Sequence, residues 1–444
     1  MVEGEPDTFR AQRLLDGVAH EGGVLAQLVP CAGVHLLKKA TLEENHGKIA
    51  FAVFPCFPMS EIDLNRRGFL RLSSLGVMSM YLDKGFAPEL FATPTEYFIY
   101  VGTYTSSGGE GIVLCRLSMA TGALQKVAVT RNVSEPSFLA MDHTGRYLYA
   151  VNELGSFQGM SSGAVSAFSV NPTTRALTLI NQQASLGSSP CFVSVDATDR
   201  FVMVANYGGG SVSVFPIRSD GGLGASTDKE QFLGSAPHAH QIMTDAANQY
   251  ALAADLGTDK VMLYRFDAQL GRLNANTPAS FSTKPGAGPR HFAFHPNGRF
   301  VFLINELNST VTSLAYDPTR GTLTEVQTVS TLPAGYTGAS YCAEVRVSPD
   351  GRFLYGSNRG HDSIVVFAVN TDGRLTLVQH ASTQGSWPRD FILDPTGTYL
   401  LVANQKSNNV VSFKRDATTG RLTALGPALS LTAPTSLLVA TSPA

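Results

Sequence analysis

Short apolar stretches separated by tight turns fill most of this chain, and from residue 97 they recur about every 50 residues. Each copy has an apolar first strand, a turn, and a second strand that opens on an aromatic residue. In six copies the aromatic follows the start of the first strand by 11 residues. The seven second strands begin at Tyr97, Tyr147, Phe201, Tyr250, Phe300, Phe353 and Tyr399. Short strands at this period are typical of a β-propeller.

A third and a fourth strand complete each copy. The third alternates apolar and polar residues, as in 362–369, and a turn leads to a fourth, as in 372–379. Four antiparallel strands make one blade, so the sequence predicts an all-β, seven-bladed β-propeller. The copy at 97 lacks a first strand, and the first strand at 434–440 lacks its followers. We therefore expect 434–440 to pair with 97–103, closing the ring and removing exposed sheet edges.

The first 96 residues lie outside the repeat. The segment 59–93 carries the arginine pair Arg66 and Arg67, then a short, mildly apolar stretch, and is similar to a twin-arginine export signal with its linker. It predicts a periplasmic or otherwise exported protein; the alternative is an ordinary amphipathic helix in a cytoplasmic protein. Because such signals stand at the N-terminus, we interpret 1–58 as an over-extended translation start. The propeller is assigned to 94–444.

Composition excludes several classes of function. The net charge of −2 gives no general attraction for nucleic acid or anionic membranes. No apolar run reaches the roughly 20 residues of a membrane span. The five cysteines show neither a zinc spacing nor a disulfide framework. We expect no metal and no cofactor.

Two columns of the repeat differ between copies in a way that packing alone does not explain. First strands line the central channel of a propeller, so equivalent residues form rings. The second residues of the first strands are Ser137, Cys191, His240, Arg290, Ala343, Arg389 and Thr435. The residues at the ends of the second strands are Thr103, Glu153, Tyr207, Leu256, Glu306, Arg359 and Gln405. By contrast, the residue before this second ring is Asn in five copies, which indicates a structural role.

The two rings predict a cationic pocket for a small anionic substrate. Arginine binds carboxylate or phosphate bidentately, and His or Glu can transfer protons. We assign catalysis to His240, Glu306, Arg290 and Arg359, and substrate binding to Arg389, Glu153 and Tyr207. The alternative is that these charges only neutralise each other in a wet channel. Cys191 is interpreted as a small filler, and His238 and His291, which fall outside the ring register, as structural or solvated.

The segments 289–306 and 100–105 resemble the seven-bladed propeller lactonases, a family with 6-phosphogluconolactonases and the fungal 3-carboxy-cis,cis-muconate lactonising enzyme. The resemblance covers roughly 95–442 and implies a metal-independent active site in the channel. In the muconate enzyme a His, two Arg and a Glu are proposed to act together. By motif these match His240, Arg290, Glu306 and Arg359, with Arg346 and Arg389 as alternatives for the last.

These observations predict a lactone hydrolase acting on a sugar lactone, foremost 6-phosphogluconolactone, by general acid–base catalysis. A cyclase that closes a carboxylated muconate is the alternative within enzymes. A non-catalytic propeller that presents a binding surface is the alternative outside them, because fold alone does not decide function.

Overall fold

The computed structural model describes residues 24–31, 34–41, 49–54 and 94–440. The chain divides into two units, Met1–Phe91 and Ala92–Ala444. In the first unit, an antiparallel sheet of three strands is formed by β1 (Val24–Cys31), β2 (Val34–Thr41) and β3 (Ile49–Phe54). The predicted signal and linker at 59–93 lie outside the described residues.

The second unit consists of seven antiparallel sheets, which confirms the predicted propeller. Blade 1 contains β4 (Glu96–Thr103), β5 (Ile112–Ser118), β6 (Leu124–Thr130) and, as its inner strand, β32 (Pro434–Val439). Blade 2 contains β7 (Leu139–Met141), β8 (Tyr147–Asn152), β9 (Ala164–Val170) and β10 (Leu177–Ala184). Blade 3 contains β11 (Pro190–Val195), β12 (Phe201–Asn206), β13 (Ser211–Pro216) and β14 (Asp228–Gln231). Blade 4 contains β15 (Ala239–Thr244), β16 (Tyr250–Asp255), β17 (Lys260–Asp267) and β18 (Arg272–Ser282).

The remaining blades follow the same order. Blade 5 contains β19 (Pro289–Phe294), β20 (Phe300–Asn305), β21 (Thr310–Asp317) and β22 (Thr322–Ser330). Blade 6 contains β23 (Tyr341–Val347), β24 (Phe353–Arg359), β25 (Ser363–Val369) and β26 (Leu375–Ser382). Blade 7 contains β27 (Pro388–Leu393), β28 (Tyr399–Asn404), β29 (Asn409–Arg415), β30 (Leu422–Ala424) and the short β31 (Leu429–Ser430). Among the described residues the helical structure is a 3-10 turn, Thr105–Ser107, and no helix is long and apolar enough to cross a membrane.

Ring closure also follows the prediction. Strand β32 pairs antiparallel with β4, joining residues that lie more than 300 positions apart in the chain. Thr435 Oγ1 donates to the carbonyl of Gly102 at 3.1 Å, and Leu437 is buried in the apolar core between blades 7 and 1. The last strand therefore becomes the inner strand of the first blade, so β4 is not left as an open edge.

The aromatic residues that open the second strands pack between blades. Each ring from blades 2 to 7 covers a turn glycine of the following blade, and a Cβ on Gly221 would lie 2.0 Å from the ring of Tyr147. That glycine has φ +80°, in the left-handed region. The other pairs are Phe201 with Gly271, Tyr250 with Gly321, Phe300 with Gly373, Phe353 with Gly420, and Tyr399 with Gly122. This repeated contact confirms that the aromatic column is structural.

A β-bulge near the start of the first strands positions the site. In β19 the register shifts between Pro289 and His291, so Arg290 is the extra residue. A shift at the equivalent place occurs in β11, β15, β23, β27 and β32. A bulge breaks the strict alternation of side chains, so consecutive residues can both reach the channel.

Candidate active site

One carboxylate between two guanidinium groups forms the centre of the charged site. Glu306 directly follows β20, and its Oε2 lies 3.0 Å from Arg290 Nε and 2.9 Å from Arg359 Nη2. The first contact is an ion pair without a well-aligned hydrogen bond, while Arg290 Nη1 donates to the carbonyl of Ala343 at 2.7 Å. Both arginine side chains are buried, so a single negative charge offsets two positive charges where water screens little.

Main-chain carbonyls and an indole ring hold Arg359. Its Nε donates to the carbonyl of Tyr341 at 3.2 Å, and its Nη2 to that of Cys342 at 2.9 Å. Its Cζ lies 5.4 Å from the ring centroid of Trp387, a cation–π contact. Burial, and then the charge of Arg290, lower the pKa of Arg359 to about 10. The two cations therefore repel each other, and an anion bound beside them would relieve that repulsion.

A second charged group contains the predicted Glu153 and Arg389, together with Tyr104, which the sequence columns missed. Arg389 Nη2 lies 3.6 Å from Glu153 Oε2, and the hydroxyl of Tyr104 donates to the same oxygen at 2.8 Å. Arg389 Cζ lies 5.0 Å from the Tyr104 ring centroid. Burial raises the pKa of Tyr104, so its hydroxyl is a hydrogen-bond donor at neutral pH.

The arginines of both charged groups, Arg290 and Arg389, act on the pKa of His240. Burial, followed by the charge of Arg290 and smaller contributions including that of Arg389, holds the pKa of His240 well below 6.5. Its Nδ1 lies 3.7 Å from Cys191 Sγ, and its ring meets that of Tyr207 edge-on at 5.7 Å. His240 is therefore a neutral imidazole that can accept a proton. Burial raises the pKa of the Cys191 thiol, which keeps it protonated and makes it a poor nucleophile.

His291, which was interpreted from the sequence as structural or solvated, is buried in the channel with three other ionisable residues. Its Nδ1 lies 2.7 Å from Glu344 Oε2, and both side chains are buried. Glu344 Oε1 lies 3.2 Å from Arg346 Nε, and Arg346 Nη2 lies 3.7 Å from Asp390 Oδ1. We call His291, Glu344, Arg346 and Asp390 the lower cluster. Strict alternation would turn His291 away from the channel, but the bulge at Arg290 cancels that alternation.

The lower cluster predicts a pH-dependent contribution of Asp390 to stability. Burial, and then the charge of Glu344, raise the pKa of Asp390 to about 7, against roughly 3.9 in an unfolded chain. The stabilisation from its protonated form is complete below about pH 4 and is lost as the pH rises to about 7. Asp390→Asn keeps a neutral side chain at every pH. Its stability relative to wild type should therefore grow by on the order of 2–4 kcal/mol between pH 4.5 and 8 in urea denaturation.

The matched control for this measurement is Asp372→Asn, in an exposed turn of blade 6. The stability of this control variant relative to wild type should not change between pH 4.5 and 8. A stability difference for Asp390→Asn that stays constant or shrinks as the pH rises would contradict the burial of an ionisable carboxyl in the channel.

The structure also separates the three arginines that the sequence left as alternatives. Arg359 contacts Glu306, Arg389 contacts Glu153, and Arg346 lies in the lower cluster. His238 stacks on Tyr207 with ring centroids 4.4 Å apart. Two surface clefts, of about 310 and 390 Å³, contain none of the predicted site residues. Within the described part of the chain, no group of three or more His, Cys, Asp and Glu side chains is arranged to hold a metal ion.

A family model, related sequences and solved structures all match the propeller region of this chain. A family model described as "Lactonase, 7-bladed beta-propeller" matches residues 98–439. The chain is 39% identical over 348 residues to the 6-phosphogluconolactonase of Bacillus subtilis (strain 168), covering 77% of this chain and 97% of that protein. It is 34% identical over 355 residues to the 6-phosphogluconolactonase of Formosa agariphila, covering 76% and 98%. Among solved structures, the periplasmic gluconolactonase of Pseudomonas aeruginosa is 35% identical with a TM-score of 0.74, covering 78% of this chain and 100% of that chain.

Proposed function

Because the chain belongs to the seven-bladed β-propeller lactonase family, as its motifs predicted, we propose that this lactonase hydrolyses 6-phospho-D-glucono-1,5-lactone. The observation that carries the proposal is Glu306 held between Arg290 and Arg359 in the channel. The names of the relatives from Bacillus subtilis and Formosa agariphila support the phosphorylated substrate.

The charge of the pocket supports an anionic substrate. Three guanidinium groups (Arg290, Arg359 and Arg389) meet two carboxylates (Glu153 and Glu306), which leaves one net positive charge. Guanidinium groups bind phosphate through paired hydrogen bonds. We propose that the arginines hold the phosphate or the developing oxyanion, and that Tyr207 contacts the sugar.

The proposed reaction proceeds by general base and then general acid catalysis on His240. The neutral imidazole takes a proton from water as the water oxygen bonds to the lactone carbonyl carbon. A guanidinium group stabilises the resulting oxyanion. When the intermediate collapses, the bond from that carbon to the ring oxygen breaks, and His240 returns its proton to the ring oxygen. The products are a carboxylic acid, which ionises, and a hydroxyl group. Glu306 is assigned to holding the arginines, because both of its contacts are to guanidinium groups.

Unphosphorylated gluconolactone is the second candidate substrate. It is favoured by the likeness to the periplasmic gluconolactonase of Pseudomonas aeruginosa and by the arginine pair Arg66 and Arg67. An exported enzyme would meet sugar lactones outside the cytoplasm. We propose export of this chain on that ground; cell fractionation of the native host tests the compartment, and enzyme found only in the cytoplasm would contradict it.

A substrate panel tests the proposal. Purified protein is assayed by pH-stat on 6-phosphogluconolactone, gluconolactone and the muconate lactone in both directions, after subtraction of spontaneous hydrolysis. We expect kcat/KM for the phosphorylated lactone to exceed that for gluconolactone at least roughly tenfold, since a phosphate–arginine contact contributes more than 1.4 kcal/mol. Preference for gluconolactone would favour the second candidate, and turnover of neither sugar lactone would contradict both.

A further inference from the structure

An imidazole lies at the centre of the channel, beneath the predicted site. The ring centroid of His291 is 4.9 Å from that of His240, 5.2 Å from Phe192 and 5.7 Å from Phe138. With Glu344, these neighbours come from four other blades, so His291 reaches across the channel axis. The two phenylalanines and His291 thus form one aromatic cluster, and its polar member contacts the ring of His240.

The propeller fold does not require ionisable side chains at the level of the channel where His291 lies. The third residues of the seven first strands are Phe138, Phe192, Gln241, His291, Glu344, Asp390 and Ser436. Two blades therefore fill the position with phenylalanine. Burying an ion pair seldom stabilises a fold more than packed apolar residues would. The ionisable side chains at this level therefore call for a role beyond packing.

We propose that His291 and Glu344 are positioning residues for His240. Glu344 accepts the Nδ1 proton of His291 and fixes its tautomer, and the ring of His291 holds that of His240 edge-on at 71°. This inference rests on the proposed function, in which His240 carries a proton during hydrolysis. The two imidazoles meet by ring packing, because the Nε2 of His291 is buried without a hydrogen-bond partner.

The step that the pair supports is the transfer of the water proton to His240. Protonation places a positive charge on His240, where the nearby arginines disfavour it. The negative charge of Glu344, on the far side of the His291 ring, stabilises that imidazolium through space without taking up a proton itself. After the ring oxygen has received the proton, His240 is neutral again and the pair is unchanged.

The groups that set the protonation of these two imidazoles come from several blades. The charged groups that act on one or both rings are Arg290, Arg346, Arg359, Arg389 and Glu344, together with the other imidazole. The thiol of Cys191 and the ring of Tyr207 also contact His240. Glu344 is the carboxyl group hydrogen-bonded to His291; burial raises its pKa, and the charge of Arg346 on its other oxygen partly offsets that effect and favours the carboxylate. Removing the charge of Glu344 should make protonation of His240 still less favourable. The acid limb of the pH profile, where kcat/KM falls because His240 becomes protonated, should therefore move to lower pH.

The test compares Glu344→Gln and His291→Phe with a packing control. Gln keeps the shape but loses the charge, and Phe is the residue that blades 2 and 3 carry at this position. Both variants should lower kcat by on the order of tenfold to a hundredfold with KM within about threefold, and Glu344→Gln should shift the acid limb to lower pH. Phe192→Leu, which changes the packing of His291 but not its hydrogen bond, should keep kcat within about threefold of wild type.

Three results would overturn the inference. These are a kcat within threefold of wild type in Glu344→Gln, a lowered kcat without movement of the acid limb, and failure of both variants to fold, which would make the pair structural. Turnover by the wild-type protein separates this inference from the proposed function. If wild type hydrolyses the lactone and the variants match it, only the role of the pair fails; if wild type hydrolyses no lactone, the proposed function fails.

Discussion

Replacing Glu306 with glutamine is expected to lower kcat by at least about 10³ while leaving KM unchanged or lower. The carboxylate holds Arg290 and Arg359 in one geometry, and a neutral amide oxygen cannot offset both cations. The pocket would gain one net positive charge, so an anionic substrate should still bind. The guanidinium groups would move apart, however, and no longer meet the developing oxyanion. Because the variant leaves buried cations without their partner, we also expect a loss of roughly 3–5 kcal/mol in stability.

Steady-state kinetics on the preferred lactone and urea denaturation measure the two effects. Glu325→Gln, an exposed carboxylate in the same blade, is the matched control and should change neither quantity measurably. A Glu306→Gln protein that keeps kcat within tenfold of wild type would show that the bridged arginines do not take part in turnover.

The fold could be predicted because its determinants are local and repeated. The spacing of 11 residues from the first strand to the aromatic holds in six copies, and the incomplete copies at the two ends of the repeat indicated how the ring closes. The column comparison worked for the same reason. Residues at equivalent positions lie at equivalent heights, so the charges of the two columns were expected to meet, as Arg290 of the first and Glu306 and Arg359 of the second do.

The part of the site that was missed depends on departures from that regularity. The bulge that brings His291 into the channel leaves no sign in the apolar pattern around it, because a one-residue shift of a buried strand still reads as apolar. Tyr104 and Trp387 lie in connections just outside the strands, where the columns end. Two signals were available: Trp387 is the single tryptophan of the chain, and the third residues of the first strands differ between copies as widely as the second ones.

Deleting the C-terminal strand should have the largest effect on folding. A chain ending at residue 433 lacks β32, which is the inner strand of blade 1 and also contacts β27 and β7. Strand β4 would become an open edge, and Ile99 and Val101, both fully buried, would lose part of their cover. Full burial of an apolar side chain contributes about 1.5–3 kcal/mol. Leu437 of β32 is buried and Leu438 and Val439 are half-buried, so we expect a loss of several kcal/mol, a large part of the stability of a typical domain.

The truncated protein should therefore be insoluble or show no cooperative unfolding transition by circular dichroism. A chain ending at residue 440, which keeps β32, is the matched control and should unfold as the full-length protein does. Adding a synthetic peptide of residues 432–440 during refolding should restore soluble protein, because the strand needs to pair with β4 but not to be joined to β31. A soluble 433-residue chain whose melting temperature is close to that of wild type would show that the other six blades and the open edge of blade 1 suffice, and that ring closure contributes little to the stability of this propeller.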